Sequence, residues 1–189
     1  ARDSLRAALG LDNDCANPHY LLGNAALALG DTASAQASFA EALQCDALRF
    51  RTDRHLNEII RSTAAALAGT GVMLSDTEKF LREHEPTGTG LPGNELFYEH
   101  VHLNFEGNYL VARALLPAVE QALPAWVRAR RAPAVPMPTV ADCGQALMFT
   151  SANEYLNLSQ MRQMVTPYPF TAQLGHDGML KDIDEQMAR

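Results

Sequence analysis

The sequence predicts a mostly α fold with a minor α/β element. Apolar residues recur every three or four positions through most of the chain, which is the spacing of one helix face. One short apolar run, residues 72–74, lies between Gly71 and Asp76 and is typical of a buried strand. Prolines cluster near residues 133–138 and predict an extended connector. We expect three regions: helices over 1–49, an α/β segment over 50–131, and a connector with a helical tail over 132–189.

Composition and charge exclude several classes of protein. The 189 residues are 47% hydrophobic, which is enough for an ordinary core. With 15 Lys and Arg against 22 Asp and Glu, the formal charge is −7, so a nucleic-acid partner is not expected. The sequence has no run of 18 apolar residues, so we expect a soluble chain without a membrane segment and favour the cytoplasm. Three widely spaced cysteines indicate neither a disulfide framework nor a zinc ribbon.

Residues 16–49 predict a hairpin of two antiparallel helices. Small residues allow the helices to approach at three positions: Gly23, Ala35 and Ala42. Larger side chains fill the seam: Leu22, Leu27 and Phe39. Gly30 and Asp31 supply the turn, and Asp31 can cap the second helix. In this spacing the stretch resembles a tetratricopeptide repeat, which implies a protein or peptide partner.

The middle segment predicts helix, strand, helix, loop and helix. The first helix carries an apolar stripe: Leu56, Ile59, Ile60, Ala64 and Leu67. A short helix follows the strand, and a loop rich in proline and glycine covers residues 86–97. A single strand leaves its backbone groups unpaired. We therefore expect its partners in further sequence or in a second copy of the chain, that is, in a homo-oligomer.

The stretch FYEHVHLNFEGNY, residues 97–109, combines an acid, two imidazoles, an amide and a glycine. Together with the elements before it, it resembles the carboxy-terminal end of the SGNH or GDSL hydrolases, over residues 50–123. The matching residues are Glu99, His102, Asn104 and Gly107. The resemblance implies that His102 is the general base of a Ser-His-acid triad, that Glu99 orients its ring, and that Asn104 and Gly107 support them. The family has aspartate where this chain has Glu99.

The nucleophile of that family is absent from the sequence. The Gly-Asp-Ser block and the oxyanion-hole blocks do not occur, and the family does not place its nucleophile at Ser75. The resemblance therefore implies that the chain is part of a larger repeat-containing ester hydrolase, inactive when isolated, acting on an acyl or acetyl ester without a metal or organic cofactor. The alternative is a helical-repeat binding module without catalysis.

Two further interpretations of the cluster stay open. If residues 99–102 are extended, His100 and His102 share a face and can bind a divalent ion with a carboxylate from elsewhere. If they form a turn, Glu99 meets His102. The cluster can also be architectural, with Asn104 capping the following helix and aromatic side chains packing beneath it. The remaining histidines are expected to be surface or hydrogen-bonded core residues: His19, His55, His84 and His176.

The carboxy-terminal region predicts helices after the connector. A boundary near residue 132 follows from Pro133, Pro136 and Pro138, with a basic run just before it. Ser151 and Glu154 predict a capping box at the start of a helix. Four methionines are expected to fill a helical core: Met148, Met161, Met164 and Met179.

Overall fold

The computed structural model describes residues 2–130 and 135–189, which are helical over most of their length. Ten α-helices lie in these ranges: α1 (Arg2–Leu11), α2 (Ala16–Ala28), α3 (Thr32–Gln44), α4 (Arg54–Ala66), α5 (Thr77–His84), α6 (Phe105–Ala122), α7 (Ala125–Arg128), α8 (Val140–Ala146), α9 (Ser151–Val165) and α10 (His176–Met187). A 3-10 turn, Phe170–Ala172, separates the last two. The mostly α prediction is confirmed. The predicted boundary near 132 lies outside the described residues.

The chain forms two compact units, which we describe separately. The first contains Ala1–Leu74 and Glu85–Leu91, and the second contains Ser75–His84 and Pro92–Arg189. In the first unit α2 and α3 pack closely as the predicted hairpin. A Cβ on Gly23 would lie 2.6–2.9 Å from the Phe39 ring, so any larger residue here would require the ring to move. Asp31 caps α3 by accepting a hydrogen bond from the backbone of Ser34 at 3.1 Å, as predicted.

Leu27 differs from its prediction within this hairpin. It was expected to fill the seam, but its side chain is 38% exposed. The buried positions of α2 are instead His19, Gly23 and Ala26. Ala26, which precedes Leu27 in the sequence, is 2% exposed and is buried in place of the predicted residue.

Helix α4 forms where predicted but does not bury its apolar stripe. Asp53 caps it through a 2.8 Å hydrogen bond from the backbone of Leu56, and Arg49 pairs with the same carboxylate at 2.5 Å. The stripe residues stay about half exposed: Leu56, Ile59, Ile60 and Leu67. Among the described residues, no part of α4 reaches full burial.

The predicted strand at residues 72–74 is wrong. Val72, Met73 and Leu74 belong to no strand and are 46%, 38% and 42% exposed. The described residues contain one antiparallel bridge, between Phe97 and Leu103, which does not involve them. A strand needs a neighbour for its backbone groups, and without one the run is irregular. The α/β element is therefore not confirmed.

The second unit contains two apolar clusters. The first is centred on Leu81, Leu96 and Leu110, and packs α5 and α6 around the segment that precedes α6. The second is centred on Leu158, Val165 and Ile183, and joins α9 to α10. The aromatic side chains of Tyr98 and Phe170 pack against the second cluster. Residues 97–103 thus lie between the two clusters.

Two predictions for the carboxy-terminal helices need correction. The capping box of α9 is formed by Thr150 and Asn153, not by Ser151 and Glu154. Because the N-cap is Thr150, the third helical position is Asn153, and the carboxylate of Glu154 accepts a hydrogen bond from Tyr98. Met148 is 80% exposed, in a left-handed conformation with φ of 51°, so it lies outside the core. Met164 and Met179 pack against the second cluster as expected.

Candidate functional site

Residues 97–103 form a tight reversal of the chain. Phe97 and Leu103 bridge its two sides. The backbone N–H of Tyr98 donates to the carbonyl of His102 at 2.8 Å, and that of Asn104 donates to Leu96 at 3.0 Å. These bonds hold residues 99–102 in a turn, so the turn alternative of the sequence is the one observed.

The turn brings Glu99 against His102. Oε1 of Glu99 lies 2.5 Å from Nδ1 of His102. The same oxygen accepts the backbone N–H of His102 at 2.6 Å and that of Val101 at 3.2 Å. The Glu99 side chain is fully buried, whereas the His102 side chain is 49% exposed. With Nδ1 directed at the carboxylate, the other ring nitrogen, Nε2, is left to accept a proton.

His100 approaches the other oxygen of the same carboxylate. Its Nδ1 lies 2.5 Å from Oε2 of Glu99, and its side chain is 15% exposed. Oε2 is buried and has no aligned hydrogen bond from any described residue, so the contact with Nδ1 of His100 is the one that the structure shows for it. Within the observed turn, both imidazoles therefore contact the same carboxylate, one at each oxygen.

The pKa of Glu99 is about 2, below its ordinary value of 4.5. Burial favours the neutral acid and by itself raises the pKa. The contact with His100 and the backbone and ring donors of His102 favour the carboxylate more strongly, so the net change is downward. Glu99 is therefore ionised at neutral pH, as a ring-orienting acid must be.

Asn104 and Gly107 hold α6 in place behind the turn. The Asn104 side chain caps α6 by accepting the N–H of Gly107 at 2.9 Å, and it donates to the carbonyl of Glu95 at 2.9 Å. A Cβ on Gly107 would lie 2.2 Å from the carbonyl oxygen of Leu96. The amide and the glycine therefore support the turn through contacts with the backbone.

Two contacts with the carboxy-terminal helices were not found by sequence reasoning. The Tyr98 hydroxyl donates to Glu154 at 2.7 Å and accepts from Asn157 at 3.3 Å. The His100 ring lies 5.2 Å from that of Phe170. Tyr98 and Glu154 are separated by 56 positions in the sequence. The spacing of residues within a short motif does not predict a contact between residues so far apart in the sequence.

The other histidines are engaged with backbone or solvent. Ring nitrogens lie 2.9 Å from carbonyl oxygens in three cases, His19 with Asn13, His84 with Phe80 and His176 with Val165. His55 is exposed on α4. These positions agree with the surface or hydrogen-bonded core expected of them.

Ser75 and possible metal ligands were the remaining groups to locate relative to the turn. Ser75 donates its hydroxyl to the carbonyl of Ala114 at 2.8 Å, a structural contact. Within the described ranges, no cluster of three or more His, Cys, Asp and Glu side chains is arranged to hold a metal ion. His100 and His102 both direct Nδ1 to Glu99, which occupies one nitrogen of each ring.

Comparisons of the chain with models of known protein families, with curated proteins and with solved structures found no match. Among the helices of the described residues, none combines the length and the apolar character needed to cross a membrane.

Proposed function

We propose that this chain supplies the acid and base of a Ser-His-acid ester hydrolase, within a larger repeat-containing protein that supplies the serine. His102 is the general base and Glu99 orients its ring. The supporting observation is the 2.5 Å contact between Nδ1 of His102 and the buried Glu99 carboxylate, on a ring that is half exposed.

The chemistry follows from the tautomer that this contact selects. Because the ionised carboxylate accepts from Nδ1, the proton of the neutral ring stays there and the lone pair is on Nε2. Nε2 can then take the proton of a serine hydroxyl as that oxygen attacks the ester carbonyl, and return it to the leaving alcohol. Glu99 stabilises the imidazolium formed between these two steps.

The test is ester hydrolysis by the chain and by the complete product of its gene. With 4-nitrophenyl acetate we expect no turnover by the chain and measurable turnover by the complete protein. His102→Ala in the complete protein should lower kcat by about 10²–10⁴-fold. The matched control is His55→Ala, an exposed histidine on α4, which should leave kcat unchanged. An active complete protein that is indifferent to His102→Ala would overturn the proposal.

The alternative function is binding of a protein or peptide by the helical region. It is favoured by apolar side chains that α2 leaves exposed, Tyr20 at 43% and Leu21 at 37%. Exposed apolar side chains on a helical hairpin are a common means of holding a peptide. In this case His102→Ala leaves partner capture unchanged and Tyr20→Ala weakens it, as a pull-down with the two variants would measure.

A further inference from the structure

The carboxylate of Glu99 is shared by two imidazoles. Nδ1 of His102 lies 2.5 Å from Oε1 and Nδ1 of His100 lies 2.5 Å from Oε2. The two rings are unlike in exposure, since the side chain of His102 is 49% exposed and that of His100 is 15% exposed. The motif assigns a role to His102 and none to His100.

His100 also contacts an aromatic ring from the carboxy-terminal part of the chain. Its ring packs at 5.2 Å and 45° against Phe170, which belongs to the second apolar cluster. Tyr98, two residues earlier, is bound to Glu154 and Asn157 of α9. The titratable groups that the structure places on this turn are Glu99 and His102 beside His100, and Tyr98, which is paired with Glu154 of α9. Phe170 contributes an apolar face.

One carboxylate that faces two imidazoles divides its charge between them. A negative charge beside a histidine favours the protonated ring, and a second donor on the same carboxylate reduces that effect. Groups this close titrate as a coupled set, so that the proton uptake of one ring depends on the state of the other. A hydrogen-bond donor or a positive charge at Oε2 thus reduces the effect of the negative charge at Oε1 on His102.

We propose that His100 is a positioning residue that engages Oε2 of Glu99 and thereby limits the proton affinity of His102. This role of His100 rests on the proposed function of His102 as a general base. A general base is most effective when its proton affinity is matched to the operating pH. A base that held its proton too tightly would be charged at rest and unable to accept another. His100 acts through Glu99 and does not touch the substrate.

The first experiment is a titration of the histidine rings in the isolated chain by two-dimensional ¹H–¹⁵N NMR. In the wild type we expect His102 to carry its neutral-state proton on Nδ1, and His100 and His102 to show coupled, two-step titration curves. Independent single-step curves for the two rings would overturn the proposal. This measurement does not depend on the folding of any variant.

The second experiment replaces the ring that engages Oε2. His100→Phe keeps an aromatic ring against Phe170 but has no donor, and should raise the titration midpoint of His102 by about one pH unit. His100→Gln keeps a neutral donor and should raise it less. His55→Phe, on α4, should not move it. An unchanged or lower midpoint in a folded His100→Phe chain would overturn the proposal.

These readouts need no turnover, so they separate the two proposals. If His102→Ala leaves ester hydrolysis by the complete protein unchanged while the two rings titrate together, the proposed function fails and the coupling stands. If hydrolysis depends on His102 while the rings titrate independently, the hydrolase stands and the role of His100 is overturned.

Discussion

At the scale of single residues, Gly107 determines how closely α6 approaches the turn. A Cβ there would lie 2.2 Å from the carbonyl oxygen of Leu96 and 2.8 Å from a methyl group of Leu103. Backbone cannot move aside as a flexible side chain can. The glycine of the motif is therefore a steric requirement of the packing, independent of any chemistry at His102.

We expect Gly107→Ala to lower the free energy of unfolding by about 1–3 kcal/mol, the usual cost of overpacking. The control is Gly178→Ala in α10, where a Cβ would meet nothing within 4 Å. That change should stabilise the chain by up to about 1 kcal/mol through helix propensity. Urea unfolding of the two variants measures both changes in the free energy of unfolding. Equal effects of the two substitutions would contradict the steric explanation.

The ionisation of Glu99 predicts a dependence of stability on acid pH. A carboxyl whose pKa falls from 4.5 to about 2 on folding stabilises the folded chain above pH 4.5, and this contribution is lost as the pH falls towards 2. Glu99→Gln has no such charge. We expect the stability difference between wild type and Glu99→Gln to shrink between about pH 5 and pH 2, as thermal unfolding over a pH series would measure. A constant difference would contradict the assignment.

At the scale of elements, α9 holds the turn through Tyr98. The phenol bonds to Glu154 and Asn157, and its ring packs on the cluster that joins α9 to α10. Burial and the hydrogen bond to the Glu154 carboxylate raise the pKa of Tyr98 to about 12. A raised pKa means that this stabilising contribution is complete below pH 10 and is lost as the pH rises towards 12.

We expect Tyr98→Phe to lower the free energy of unfolding by about 1–2 kcal/mol, because it removes a hydrogen bond to a charged group. The wild type has five tyrosines. The ionisation step near pH 12 in an absorbance titration should be absent from this variant. Tyr155→Phe is the matched control, since Tyr155 is 50% exposed on α9; its effect should stay within about 0.5 kcal/mol. A high-pH tyrosine that persists in Tyr98→Phe would contradict the assignment.

At the scale of the whole molecule, the first unit leaves an apolar surface uncovered. It consists of the α4 stripe and residues 72–74, whose large side chains are between 38% and 51% exposed. Large apolar side chains left exposed in this number are typical of a contact with another molecule or another part of a protein. The second unit has a buried centre, where Leu96 and Leu110 are nearly inaccessible.

We expect the chain to self-associate at micromolar concentration through this surface. Ile60→Gln should reduce association in sedimentation velocity and change the free energy of unfolding by no more than about 0.5 kcal/mol, because Ile60 is already 51% exposed. Leu110→Ala, at a residue 4% exposed, should instead cost about 2–5 kcal/mol. A monodisperse wild-type monomer would contradict the expectation of self-association.

Local sequence determined the helices and the contact at the centre of the site. Spacing of apolar residues placed α2 to α6, and the three-residue separation of Glu99 and His102 placed carboxylate and ring together once a turn joined them. Caps were also local, as Asp31 and Asn104 act on amides three positions away. Each of these features involves neighbours in the chain, so the residue types and their order are sufficient to predict it.

Tertiary structure alone decided the burial of α4, the state of residues 72–74 and the surroundings of Glu99. A strand requires a partner and an apolar stripe requires a surface to cover it, and neither is encoded in the segment itself. Oε2 of Glu99 meets His100 because Phe170 and Tyr98, tied to distant helices, fix that part of the turn. Contacts across tens of residues depend on how the chain packs, and sequence spacing does not carry that information.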